Sequence, residues 1–179
     1  MNGKTTTLYS VLDYLNRPDI NIVSIENPVE IRIPGVNQIE TGPNITFASS
    51  LRTVLRQDPD IILVGEIRDQ ETAAIAIEAG QTGHLVLSTI HTIDAVEAIT
   101  RIKKMGISSY DLSATLVTTI SQRLVRRLCD RCKCKHILNK EELNYISRIE
   151  KVTGHKFNLD KVDAYEPVGC EHCSGLRIL

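Results

Sequence analysis

The stretch Asp58-Pro59-Asp60-Ile61-Ile62-Leu63-Val64-Gly65-Glu66 constrains this chain more than any other. Asp58 precedes a proline, which pushes it out of the α region. Ile61–Val64 is then a short apolar run without alternation. Such a run suits a strand covered on both faces, as in a parallel sheet. Gly65 ends it and Glu66 follows. In open α/β sheets, ligands collect just beyond the carboxyl ends of the strands. A carboxylate there can hold Mg2+ or orient a water. The alternative is that Glu66 pairs with Arg68 or another base and serves only the fold.

Upstream, Gly3-Lys4-Thr5 is followed by Leu8, Val11, Leu12 and Leu15 at helical spacing, predicting a helix over 5–16 closed by Arg17-Pro18. Gly-Lys-Thr opening a helix matches the end of a phosphate-binding loop, where the lysine reaches phosphates and the next hydroxyl holds Mg2+. As a tripeptide it is common by chance. Residues 20–25 read as a second buried strand that delivers Glu26 to the same kind of strand end as Glu66. Val29, Ile31 and Ile33 alternate with Glu30 and Arg32 up to Pro34-Gly35, which predicts a half-exposed strand and a hairpin partner over 36–40.

Thr46 caps a predicted helix over 47–57, on which Arg52 and Arg56 share one stripe. That stripe is either a solvated face or a pair of cations aimed at phosphate. Asp69 caps a helix over 69–79 that Gly80 would terminate, and Leu85–Ser88 is the next strand. His84 and His91 flank it; either is a structural histidine or a γ-phosphate sensor. Asp94 caps a helix to Met105, ended by Gly106. Leu112, Leu116, Ile120, Leu124 and Leu128 recur every four residues, predicting one long helix, or two in tandem, over 108–128. Strand and helix alternate from residue 5 to 105, which is the signature of an α/β domain with a mostly parallel sheet.

Cys129-x-x-Cys132 and Cys170-x-x-Cys173 are separated by 37 residues. Two such pairs supply four thiolates for a closed, structural zinc (Zn2+) site. Cys134 is left over as a free thiol. Between the pairs, Asn139-Lys140-Glu141-Glu142 reads as a capping box for a helix carrying Leu143, Ile146, Ile149 and Val152 and stopping at Gly154. The expected division is 1–106 for the α/β core, 107–128 for helices and 129–179 for the zinc subdomain.

The formal charge of −1 and the absence of tryptophan argue against a nucleic-acid partner. No apolar run reaches 18 residues, so no transmembrane helix is expected. Met1-Asn2-Gly3-Lys4-Thr5 lacks the apolar region of a signal peptide, which favours the cytosol.

Taken together, these motifs resemble the ATPases of type II secretion and type IV pilus assembly. Gly3-Lys4-Thr5 stands where the family's Walker A motif ends. Ile25-Glu26-Asn27-Pro28-Val29-Glu30 resembles its acidic box. The segment from Leu51 to Asp69 resembles its Walker B region, and Thr82–Thr92 its histidine box. Gln122–Cys129 leads into its tetracysteine element, which argues against a retraction motor.

The resemblance implies a RecA-like P-loop core, working as a cytoplasmic homo-hexamer on inner-membrane secretion or pilus platform proteins. ATP and Mg2+ would be held by Gly3, Lys4, Thr5 and Thr6, with Glu66 helping to hold the Mg2+ site. Glu26 would polarise the attacking water, with His84 or His91 near the γ-phosphate. Arg52, Arg56, Arg68 and Arg101 are the candidate charge stabilisers. Asn27 replaces the family's usual aspartate, and Ile93 stands where asparagine is common. Only the end of the glycine-rich loop precedes the first helix, so the chain is expected to be a fragment unable to hydrolyse ATP by itself. The competing readings are a non-enzymatic zinc-bearing interaction module and a zinc ribbon that binds nucleic acid through Arg123, Arg126, Arg127, Arg131, Lys133 and Lys135.

Overall fold

The computed structural model describes residues 3–159 and 163–176. Expectations that rest on Met1 and Asn2 lie outside the described residues. Contacts divide the chain between Arg123 and Leu124 into two compact units. The break falls inside the segment expected to be helical over 107–128.

The first unit is built on four parallel strands in the order β2-β1-β3-β4. They are β1 (Ile22–Glu26), β2 (Asn37–Glu40), β3 (Ile61–Val64) and β4 (Leu85–Ser88). Every residue of β1 and β3 is buried. Strand alternation assigns their side chains to two layers. Val23, Ile25, Ile62 and Val64 pack with Leu51 and Val54 of α2 (Phe47–Val54) and with Ala73, Ala76 and Ala79 of α3 (Gln70–Gln81). Ile22, Ile61 and Leu63 pack on the other face with Tyr9 and Leu12 of α1 (Lys4–Leu15). Helices therefore cover both faces, the arrangement that the unbroken apolar runs require.

The local stop and start signals operate as their chemistry dictates. Thr46, Asp69 and Asp94 accept hydrogen bonds from backbone N–H groups in the first turns of α2, α3 and α4 (Ala95–Lys104). Gly106 takes φ +90° just beyond α4. α3, however, runs past Gly80 to Gln81, and the positive φ needed to leave the helix is supplied by Gly83 at +99°. α2 tightens into a 3-10 turn over Leu55–Gln57 before Asp58.

Two expected elements are absent. Residues 29–33 do not form a strand, and β2 runs parallel to β1 rather than closing a hairpin. Side chains, not a ladder, satisfy this segment. Gln38 Oε1 accepts from Ile33 N at 2.8 Å, and Gln38 Nε2 donates to Ile31 O at 3.0 Å. The long helix over 108–128 is also replaced. α5 spans only Ser109–Thr115, and Leu116 is already extended with ψ 108°. Val117, Thr118, Thr119 and Ile120 follow as an uninterrupted β-branched run. These residues lose side-chain freedom in a helix, and four in succession outweigh the leucine row.

The second unit holds α6 (Lys140–Thr153) and the two-residue antiparallel strands β5 (Cys134–Lys135) and β6 (Tyr165–Glu166). Asn139 and Glu142 form the expected reciprocal capping box, and Gly154 closes α6 at φ +71°. None of the described side chains of α6 is fully buried. Among the described residues of this unit, those that are buried are Cys129 and Cys173, so what core they form is a thiol cluster rather than a hydrocarbon one. Among the described residues no helix is long and apolar enough to cross a membrane.

Candidate functional site

The carboxyl ends of β1 and β3 lie side by side, with Ile25 paired to Val64. Glu26 is the last residue of β1, and Glu66 follows β3 after one glycine. Gly65 N donates to Ile25 O at 2.8 Å. A Cβ on Gly65 would stand 3.2 Å from that same oxygen, tighter than ordinary contact, so a side chain there would have to push the two strand ends apart by a few tenths of an ångström. A cavity of about 190 Å³ opens here, lined by Lys4, Thr5, Glu26, Glu66, Thr89 and His91 among others. It is smaller than the roughly 300–1,000 Å³ of a whole-ligand pocket and suits the phosphate end of a nucleotide.

α1 begins at this cavity. Gly3 occupies the left-handed region at φ 68°, and no side chain caps the helix. All other α-helices among the described residues carry a side-chain cap. α1 has no acidic residue in its first turn, so its first-turn N–H groups and dipole favour an anion. Lys4 Nζ donates to Ile90 O at 3.3 Å, and Thr5 Oγ1 lies 3.4 Å from Glu30 Oε1.

Glu66 is engaged by bases on two sides. Its Oε2 is 2.5 Å from Arg68 Nε and 3.2 Å from His91 Nε2. That oxygen is inaccessible to solvent and accepts no hydrogen bond of good geometry. Its charge is met by ion pairs with these two bases, and a cation such as Mg2+ would have to compete with them for the carboxylate.

Glu26 is buried and held by neutral donors. Ser24 Oγ donates to its Oε1 at 2.6 Å, Gln38 Nε2 donates to the same oxygen at 3.1 Å, and the Tyr9 hydroxyl donates to Oε2. Burial, reinforced by this carboxylate, pushes the Tyr9 phenol above its ordinary range, so it keeps its proton and remains a donor.

The structure thus brings Gly3, Lys4, Thr5, Glu26, Glu66 and His91 to one end of the sheet, with Arg68 attached through Glu66. Thr6 is exposed in the first turn of α1. His84 precedes β4 and so sits at the opposite end of the sheet. Its Nδ1 is 3.0 Å from Ala79 O and 3.1 Å from Thr82 Oγ1. Arg52 pairs with Glu71 at 2.7 Å, and with Arg56 it lines a separate depression of about 490 Å³ between α2 and α3. Arg101 is exposed on α4 and is not among the residues lining the cleft. Tyr9 and Gln38 were not expected at the site. Ser24 had a sequence signal, because a polar residue two positions before Glu26 in a buried strand must share its face.

In the second unit the sulfurs of Cys129, Cys132, Cys170 and Cys173 all lie within 4.8 Å of one another. The pairs Cys129–Cys170, Cys132–Cys173 and Cys170–Cys173 are 4.0, 3.9 and 3.9 Å apart. A tetrahedron with zinc–sulfur bonds of about 2.3 Å has edges of about 3.8 Å, whereas a disulfide needs about 2.0 Å. Gly169 N donates to Cys132 Sγ and Cys170 N to Cys173 Sγ, both at 3.3 Å, as donors that stabilise thiolates do. Burial and the neighbouring thiols of Cys170, Cys129 and Cys173 push the Cys132 thiol up to about 11. Four crowded sulfurs resist charging unless a cation shares them, so the donor set fits zinc. Cys134 lies outside the cluster, with its Sγ 3.3 Å from Glu166 Oε1.

A profile of the type II/IV secretion system protein family matches residues 2–178. The type IV pilus assembly ATPase PilB of Thermus thermophilus is 48% identical over 177 residues, 97% of this chain and 19% of that protein. The type II secretion system protein E of Dickeya dadantii is 44% identical over 180 residues, 98% of this chain and 34% of that protein. Among solved structures, the pilus retraction motor PilT with bound ADP superposes with a TM-score of 0.62 at 34% identity, covering 85% of this chain and 50% of that one. The chain therefore spans between a fifth and about a third of the length of these two curated relatives.

Proposed function

Because the chain belongs to the type II/IV secretion system protein family, we propose that it is the nucleotide-binding part of a motor ATPase driving protein secretion or pilus assembly. The observation that carries this reading is the convergence, at one sheet end, of an uncapped helix N-terminus bearing Lys4 with the carboxylates of Glu26 and Glu66. That combination supplies what phosphoryl transfer needs: positioning and charge stabilisation rather than covalent chemistry.

In this reading the sheet and helices form a RecA-like P-loop core. The N–H groups of the first turn of α1 and the ammonium of Lys4 hold the phosphates of ATP. Thr5 and Glu66 would hold Mg2+, which would supply positive charge against the charge developing on the phosphates. Glu26 accepts a hydrogen bond from the attacking water and aligns it. His91 and Arg68, both beside Glu66, are the groups available to the γ-phosphate end. Arg52, Arg56, Arg101 and His84 stand away from the cleft and have no phosphate role within their own chain. The motor works as a homo-hexamer in the cytoplasm against inner-membrane platform proteins. The four cysteines hold a zinc ion that folds the second unit, where apolar burial is scant.

The test is release of inorganic phosphate from Mg-ATP by the protein extended to the full length of its curated relatives, and by the Glu26→Gln and Glu66→Gln variants of that form. Both substitutions preserve shape and remove a charge. A loss of at least a hundredfold in kcat in each is expected. Turnover unaffected by either would reject the assignment. A protein that binds one zinc but shows no nucleotide binding would instead be the zinc-bearing interaction module.

A further inference from the structure

Glu26 would have little use as a water-aligning base if its carboxylate could rotate. Its surroundings are built to prevent that. Ser24 and Glu26 share one face of β1, and Gln38 is the residue of β2 directly beside Ser24. Tyr9 reaches the same carboxylate from α1.

The orientation of each donor is fixed by a second contact. The Tyr9 hydroxyl accepts from Glu30 N at 3.1 Å, so its own proton is directed to Glu26 Oε2. Gln38 Oε1 accepts from Ile33 N at 2.8 Å, and its amide nitrogen donates to Ile31 O at 3.0 Å. That pair of backbone contacts admits only one amide orientation, with the NH2 group facing Glu26. A carboxylate offers about four acceptor positions. Three are filled, two on Oε1 and one on Oε2. One remains for a water in the cleft that Glu26 lines.

We propose that Tyr9, Ser24 and Gln38 are positioning residues that lock the Glu26 carboxylate with a single free acceptor position for the attacking water. The inference rests on the assignment of Glu26 as the water-aligning group. None of the three touches substrate; each acts through Glu26. Tyr9 also ties this lock to α1, whose first turn holds the phosphates, so phosphate position and water position are referred to one helix.

The experiment is steady-state ATP hydrolysis by the protein extended to the full length of its curated relatives, in four forms: wild type, Tyr9→Phe, Glu26→Gln and the double variant. Tyr9→Phe should lower kcat by about tenfold to a hundredfold with KM unchanged, as loss of a hydrogen bond to a charged group would. In the Glu26→Gln background the same change should alter kcat less than twofold. Ser24→Ala, which removes a different donor from the same carboxylate, should show the same split and keeps the test open if Tyr9→Phe folds poorly. Variants with kcat within twofold of wild type, or an equal loss in both backgrounds, would overturn the proposal while leaving the motor reading intact. A wild type without hydrolysis, or a Glu26→Gln variant with undiminished kcat, would overturn the role of Glu26 and this inference with it.

Discussion

Replacing Gly80 by alanine sets two effects of known size against each other. Gly80 lies in α3, where alanine is favoured over glycine by about 1 kcal/mol. Its φ is not in the left-handed region, so the backbone itself accepts alanine. A Cβ placed there, however, would stand 2.3 Å from Thr115 Cγ2 at the end of α5. Carbon atoms pack at about 3.5–4.0 Å, so the overlap exceeds 1 Å, and overpacking of this kind costs roughly 1–3 kcal/mol. The net expectation is a loss of up to about 2 kcal/mol despite the gain in helix propensity. Thr115→Ser removes the clashing methyl and keeps the hydroxyl. In the Gly80→Ala/Thr115→Ser double variant the steric cost vanishes and the propensity gain remains. The two changes should therefore couple favourably by about 1–3 kcal/mol in a double-mutant cycle. Urea unfolding followed by far-UV circular dichroism supplies the four free energies. Gly80→Ala alone raising stability by about 1 kcal/mol, or effects additive to within about 0.5 kcal/mol, would refute the packing of α5 on α3.

Three further outcomes concern the second unit. Asn139→Ala removes a cap that accepts from both Glu141 N and Glu142 N, and should cost about 1 kcal/mol, read as lower helicity and an earlier unfolding midpoint. Cys129→Ser should abolish a metal content of one zinc per chain and unfold this unit, as should a strong chelator; elemental analysis together with circular dichroism reads both. The hydrogen bond to Glu142 and the charges of Glu142 and Glu166 raise His136 above its ordinary 6.5. A raised folded value stabilises below the unfolded value and is lost as pH rises through the folded one. At saturating zinc, stability of this unit should therefore fall as pH climbs above about 6.5, and His136→Gln should flatten that slope.

What the sequence disclosed tracks how local each cause is. β3 was legible because Ile61–Val64 stands between a proline turn and a glycine, and the caps at Thr46, Asp69, Asp94 and Asn139 were legible because each acts within three residues. The pairing of β2 was not, because Pro34-Gly35 looks like a hairpin turn whether the strands run parallel or not. The backbone groups of residues 29–33 went to the Gln38 side chain instead. Beyond α5 the leucine row predicts helix, but the β-branched run Val117–Ile120 inside it outweighs that periodicity. At the candidate site, Lys4, Glu26 and Glu66 were readable as strand-end and helix-start residues. The two histidines could have been separated on the same logic: His84 precedes β4 and His91 follows it, and only the carboxyl end faces the cleft. The donors that hold Glu26 were beyond reach because they come from three separate elements, α1, β1 and β2.

The central claim is that the start of α1 and the ends of β1 and β3 form a phosphate site. Equilibrium titration of Mg-ATP into wild type and Lys4→Ala tests it most directly. Saturable binding by the wild type, weakened at least tenfold by Lys4→Ala, is the result predicted. Binding of equal strength in both, or none in the wild type, would contradict it.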